Sequence, residues 1–188
     1  MGAVGVFAEE LRLEPAPNFV GTGFVSPGDE VWLLGQTHAD DIGGSEVQSL
    51  WLGKIDGPPP QLDLALEKAV QDVVRSGIES GWIRSAHDCS EGGLGVAVAE
   101  CLIKGAHGLG LHMDLPAGDV GRVLFSESAS RVVVSVAPAD ASHLQQAGVP
   151  AHRLGTLTQT GELEFATLSV AVGQLRAAHD GALTSLEG

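Results

Sequence analysis

The sequence predicts a layered α/β domain of the α+β type, in which helices cover a mixed β-sheet. Three observations carry that prediction. Short apolar runs bounded by turn residues alternate with segments of helical periodicity, the pattern of a layered fold. The 188 residues are 44% hydrophobic and 4% aromatic with no tyrosine, so small aliphatic side chains must build the core. The 26 glycines supply many tight turns, and no internal repeat or composition break divides the chain. One domain spanning residues 1–188 is therefore expected.

The elements follow in order. "GDEVWLLGQT" (28–37) is a short apolar run between turn residues and reads as a buried strand. "IGGSEVQSLWLG" (42–53) then turns helical, with Ser45 and Gln48 as a capping box and Gly53 as the stop. "DGPPPQL" (56–62) is a stiff polyproline connection. Leu66, Val70, Val73, Val74 and Ile78 place one apolar stripe on a helix over 63–80. "WIRSAHD" (82–88) is the next strand. "LGVAVAECLI" (94–103) has Glu100 as its only polar residue, so this helix is expected to be buried on several sides.

"LGLHMDL" (109–115) reads as a strand, and a short helix is expected around 118–124. The β-branched content of "RVVVSVAP" (131–138) predicts a central strand. Pro138 and Gly148 frame a helix. "HRLGTLTQTGELEF" (152–165) reads as two strands joined by a Thr-Gly turn. The last 20 residues read as a helix and a frayed tail.

A net charge of −14 and a pI near 4.6 argue against nucleic acid or an anionic membrane as partner. No apolar run approaches the roughly 20 residues of a membrane span. The start "MGAVGVFAEE" lacks the basic region and cleavage segment of a signal peptide, and does not complete a myristoylation signal. Cys89 and Cys101 are too few and too isolated for a disulfide framework or a zinc site. A reducing cytoplasmic location is expected.

Three stretches combine Gly or Ser with a carboxylate at an inferred loop-to-helix junction: "DDIGGSE" (40–46), "HDCSEGGLG" (87–95) and "LFSESASR" (124–131). Free amides and the helix dipole make such junctions attractive to phosphate or carboxylate. Gly92 and Gly93 would also admit a ligand close to the backbone. A Ser or Asp cap serves the same amides without any ligand, so both readings stand. His87 is either a general base or a structural histidine at a strand end, bonded to Asp88 or backbone. Glu127 either holds a substrate hydroxyl or a metal, or pairs with Arg131 four residues on.

No Gly-x-Ser-x-Gly elbow supports a Ser–His–Asp triad through Ser90 or Ser128. Neither phosphate-binding glycine motif occurs, and the three lysines, Lys54, Lys68 and Lys104, lie outside Gly-rich loops. The histidines show no metal-ligand spacing. No catalytic residue and no metal ligand is assigned, and these residues describe half a site.

"SAHDCSEGGLGVAVAE", followed some 30 residues later by "LFSESASRVVVSV", closely resembles the phosphoribosylformylglycinamidine synthase family, the large synthetase subunit of purine biosynthesis. "GGSEVQ" upstream and "RLGTLT" downstream fall in that family's order, and the similarity spans residues 20–160. The resemblance implies an AIR synthetase C-terminal-domain-like fold, the last of four domains in a duplicated chain. "GAVGVF", within residues 1–20, resembles the crossing between halves, while 170–188 match weakly. It further implies an ATP- and glutamine-dependent ligase that converts formylglycinamide ribonucleotide to formylglycinamidine ribonucleotide.

ATP and Mg2+ would serve the full enzyme, with none bound tightly by this domain alone. The implied partners are the remaining synthetase domains, a glutaminase subunit or domain and a small accessory subunit. The chain alone is expected to be inactive, to expose an apolar patch and to self-associate. The candidate substrate- or phosphate-binding residues carried by the resemblance are Asp88, Ser90, Gly92, Gly93, Glu127, Ser128 and Arg131. Two departures stand out: Ser126 replaces a frequent Gly, and Cys89 a common aliphatic residue. A non-catalytic assembly module is the alternative. The C-terminal half of aminoimidazole ribonucleotide synthetase is another, against which the Glu-Ser-x-Ser-Arg string speaks.

Overall fold

A computed structural model describes residues 19–184, so the crossing segment read in 1–20 lies, up to residue 18, outside the described residues, as do the last four. Among the described residues there are seven strands: β1 (Glu30–Leu34), β2 (Ile83–Asp88), β3 (Gly110–Met113), β4 (Val132–Val136), β5 (Ala151–Thr158), β6 (Glu162–Phe165) and β7 (Leu168–Ala171). The helices are α1 (Glu46–Leu52), α2 (Leu64–Glu79), α3 (Gly93–Lys104), α4 (Val120–Phe125), α5 (Ala141–Gln145) and α6 (Val172–Thr184). A 3-10 turn, Pro138–Asp140, leads into α5. The strands form one sheet in the order β2-β4-β1-β5-β3-β6-β7. Only the β3–β6 pair is parallel, which makes the sheet mixed as expected.

The strand period of two explains why "VWLL" is apolar throughout. Val31 and Leu33 point into a core with Leu94, Val98, Leu102 and Leu111. Trp32 and Leu34 point the other way, into a core with Val70, Val134, Val136 and Leu144. A strand buried on both faces reads as a continuous hydrophobic run. Helices α3 and α6 cover the first face, α2 and α5 the second. The all-round apolar character of α3 is explained likewise: Leu94, Ala97, Val98, Cys101, Leu102 and Ile103 are all buried.

Capping sets the helix boundaries. Ser45 accepts from the Gln48 amide, and Gly53, left-handed at φ 62°, closes α1 through its bond to the Ser49 carbonyl. The side chain of Gln48 accepts from Gly44 and Asp56 amides, tying the polyproline connection to the start of α1. Asp63 and Asp119 cap α2 and α4 in the same way.

Three expectations need correction. Residues 159–161 do join β5 to β6, but the two strands are not neighbours, because β3 inserts between them. Strand β7 lies in what read as tail; it is a short sheet edge with Leu168 and Ser169 exposed, so its pattern lacks a buried face. The stretch 124–131 is no helix start: α4 ends there, and the chain passes into β4.

Candidate functional site

The three Gly/Ser/carboxylate stretches meet. Glu127 Oε1 accepts the amide of Gly92 at 2.9 Å and the amide of Glu46 at 2.9 Å. One carboxylate thus serves the first turns of both α3 and α1, where the helix dipoles favour negative charge. The Glu127 amide in turn donates to the Asp41 carbonyl at 2.8 Å. Glu127 makes no ion pair with Arg131; its partners come from the two other loops.

Beneath this contact, Ser128 is 1% exposed and exchanges hydrogen bonds with the His38 backbone: the His38 amide donates to Ser128 Oγ at 2.9 Å, and the hydroxyl donates to the His38 carbonyl at 3.2 Å. Arg131 is 2% exposed, and its guanidinium donates to the Ser126 and Ser128 carbonyls and to Thr37 Oγ1. Burial lowers the guanidinium pKa, opposed by the fields of Cys89, Asp41 and Glu127. Both side chains are therefore buried beneath the turn, with Arg131 at the border of a small depression. They hold the 126–130 turn in place from below. The Ser126 hydroxyl is fully buried and has no hydrogen-bond partner among the described residues.

The two glycines are needed for the fold itself. Gly92 and Gly93 adopt φ of 77° and 65°, a region that side chains disfavour. A Cβ on Gly93 would lie 2.3 Å from the Ser126 carbonyl oxygen. What approaches the Gly93 backbone so closely is the end of α4, where a ligand was expected.

Above these loops lies a groove of about 580 Å3, between α1 and the first half of α3. Its polar end is formed by His87, Asp88, Ser90, Glu91, Gly92 and Glu100. Asp88, Ser90 and Gly92 are thus the predicted residues that line it. Asp88 accepts a short hydrogen bond from Ser90 Oγ, which holds its carboxyl below the usual range against a smaller opposing effect of burial. Asp88, Ser90 and Arg131 also border a smaller depression against α2.

His87 is anchored on both ring nitrogens. Nδ1 lies 2.8 Å from the Asp88 carbonyl, and Nε2 lies 2.9 Å from Glu100 Oε2. Both neighbours are oxygen atoms of the fold itself, and between them they hold the ring in a single orientation. Glu100 also takes the Lys104 ammonium at 2.6 Å, and Lys104 first and His87 second hold its carboxyl low. The reading of His87 as a structural residue is the one this geometry favours. Glu100 was not singled out as a partner, although a lone acid in an otherwise apolar helix was the available signal.

The apolar side of the groove also escaped sequence reasoning. Val47, Leu50 and Trp51 of α1 face Val96, Ala97 and Phe125, with the Trp51 and Phe125 rings edge to face at 5.7 Å. Leu50 is 77% and Trp51 68% exposed. Among the described residues, no group of three or more His, Cys, Asp or Glu is arranged to hold a metal ion. No described helix is long and apolar enough to cross a membrane.

Comparison with known proteins places this architecture. Phosphoribosylformylglycinamidine synthase subunit PurL of Synechocystis sp. is 43% identical over 161 residues, covering 82% of this chain and 21% of the relative. The PurL subunit of Parafrankia sp. is 37% identical over 196 aligned residues, covering 100% of this chain and 24% of its own. The chain thus spans about a fifth to a quarter of the length of these curated relatives. Among solved structures, Thermotoga maritima PurL complexed with FGAR superposes with a TM-score of 0.67 at 20% identity, over 84% of this chain and 29% of that one. At that identity the likeness speaks for the fold alone. The AIR synthase related protein, C-terminal domain, matches residues 26–167, three quarters of the sequence and all seven strands except β7. With that match over most of its length, this chain belongs to the family of AIR synthase related proteins, as a C-terminal domain.

Proposed function

We propose that this chain works as one domain of an ATP- and glutamine-dependent ligase, phosphoribosylformylglycinamidine synthase, which converts formylglycinamide ribonucleotide to formylglycinamidine ribonucleotide. The observation that carries this reading is identity of 37–43% with PurL subunits over 82–100% of the chain. The domain supplies one wall of a composite site. Asp88, Ser90 and the backbone at Gly92 form its polar lip, and Glu127 fixes that lip to α1. Ser128 and Arg131 act through the loop they hold, as positioning residues.

What the wall can do is bind and orient. Ser90 and Asp88 present a hydroxyl and an ionised carboxylate suited to ribose or amide groups. The carboxylates of Glu46, Asp88, Glu91 and Glu100 disfavour a bare phosphate at the groove itself. The described residues do not fit a magnesium site, so no step through Mg2+ is assigned to this domain. ATP, the glutaminase partner and the small accessory subunit belong to the whole ligase. Alone, the chain is expected to turn over no ATP.

The test is a chimera. The corresponding C-terminal stretch of a PurL subunit is replaced by residues 19–184, and formylglycinamidine ribonucleotide formation is assayed with ATP and a glutaminase subunit. Activity that falls at least tenfold on Asp88→Ala, with unchanged folding, supports the wall. A well-folded chimera insensitive to Asp88→Ala and Ser90→Ala would refute it.

A further inference from the structure

We propose that the groove between α1 and α3 receives the nucleoside end of its ligand: an aromatic base stacks on Trp51, the ribose hydroxyls meet Asp88 and Ser90, and any phosphate is turned away from this domain. The inference rests on the reading of the groove as a ligand-facing wall, and narrows the ligand class to an uncharged base and sugar.

The apolar side carries the base. Trp51 stands in the last turn of α1 and is 68% exposed. Phe125 meets it edge to face at 5.7 Å, and one ring in that geometry leaves most of the indole uncovered. Val96 and Ala97 of α3 line the groove with it, and a volume of about 580 Å3 is that of a small-ligand site. The helix cannot turn the indole inward, because Ser45 and Gly53 close both ends of α1 and Gln48 ties it to Asp56. An exposed indole beside an apolar wall is a surface on which a planar base stacks.

The polar end selects the sugar and refuses the phosphate. Glu46, Asp88, Glu91 and Glu100 bring four carboxylates and Ser90 a hydroxyl, while neither Arg nor Lys lines the groove. Ionised carboxylates only accept hydrogen bonds, so a ligand here must bring donors, and ribose supplies them as neighbouring hydroxyls. Helix-start amides are the usual phosphate site, and here they are occupied. The Glu46 and Gly92 amides both donate to Glu127 Oε1 at 2.9 Å. The fold's own carboxylate thus stands where an anion would, and Lys104 is bonded to Glu100. A nucleoside satisfies both sides of the groove. A polyphosphate would be set against four carboxylates on a molecule of net charge −14.

The experiment titrates the 188-residue chain with adenosine, dideoxyadenosine lacking both ribose hydroxyls, ATP and ribose 5-phosphate, followed by calorimetry at moderate salt without magnesium. Adenosine is expected to bind saturably and more tightly than ATP. The dideoxy compound should bind severalfold more weakly than adenosine, and ribose 5-phosphate not at all. Trp51→Leu, with unchanged melting, should weaken adenosine binding about tenfold or more, the loss of one base–aromatic stack, and Trp51→Phe should restore most of it. Asp88→Ala should weaken adenosine severalfold and leave the dideoxy compound as it was. Trp82→Phe, at a ring stacked on His143 outside the groove, should change nothing. No saturable adenosine binding, ATP binding more tightly than adenosine, or adenosine binding indifferent to Trp51→Leu would each overturn the proposal. The ligase reading fails separately, in a chimera insensitive to Asp88→Ala and Ser90→Ala. A sensitive chimera built on a chain that ignores adenosine keeps the wall and discards the base platform.

Discussion

Replacing Glu127 by Ala should destabilise the domain by about 3 kcal/mol, and the figure follows from the two amides it serves. A hydrogen bond to a charged group contributes about 1.5–3 kcal/mol when its partner stays out of water, and less where water can substitute. The Gly92 amide is partly buried and keeps the larger share, about 2 kcal/mol. The Glu46 amide is exposed, so water recovers most of its bond and about 1 kcal/mol remains. Glu127→Gln keeps an acceptor oxygen and loses only the charge, about 1 kcal/mol in all. For a chain of this size each kcal/mol moves Tm by about 2–4 °C, so Ala should lower it by about 6–12 °C and Gln by about 2–4 °C. Urea unfolding followed by fluorescence of the buried Trp32 measures both variants. Hydrogen exchange at Gly92 and Glu46 locates the loss. An Ala variant within 0.5 kcal/mol of the parent, with both amides still protected, would show that water or another group serves the helix starts equally well.

Three further outcomes are expected. Gly93→Ala combines a left-handed backbone with a 2.3 Å approach to the Ser126 carbonyl, and should cost about 2–4 kcal/mol; a thermal melt matching the parent would mean that the α4 end yields freely. The Glu100 carboxyl is held below its ordinary value of 4.5, so its contribution is present above that pH and is lost as pH falls through the depressed folded value. Glu100→Gln should therefore flatten the acid limb of stability against pH, and parallel curves for parent and variant would count against the Lys104–Glu100–His87 link. Burial pushes the Cys89 thiol up to about 11 and the Cys101 thiol higher still, so neither should react with a disulfide reagent at pH 8 until urea unfolds the chain; prompt labelling of the native protein would contradict the packing.

Local chemistry made much of this molecule legible before any coordinates. Ser45 and Gly53 bound their helix because a cap acts within three or four residues, and the two-faced burial of Val31–Leu34 follows from the strand period alone. The Gly-Gly and Glu-Ser loops stood out for the same reason, as departures from those short-range patterns. Their partners were not legible. The contact of Glu127 with Gly92 spans 35 positions and that with Glu46 spans 81, while Arg131 reaches back 94 to Thr37. A carboxylate four residues from an arginine looks paired on paper, yet the arginine is drawn under the turn by its carbonyls and the carboxylate out to two helix starts. The insertion of β3 between β5 and β6 belongs to the same class, since a short turn between strands does not decide which edge each strand joins. Caps and periodicities are energies between near neighbours and can be read along the chain. Strand order, the burial of Arg131 and the exposure of Leu50 and Trp51 are set by which distant surfaces exclude water together, and that becomes visible only once the layers have packed.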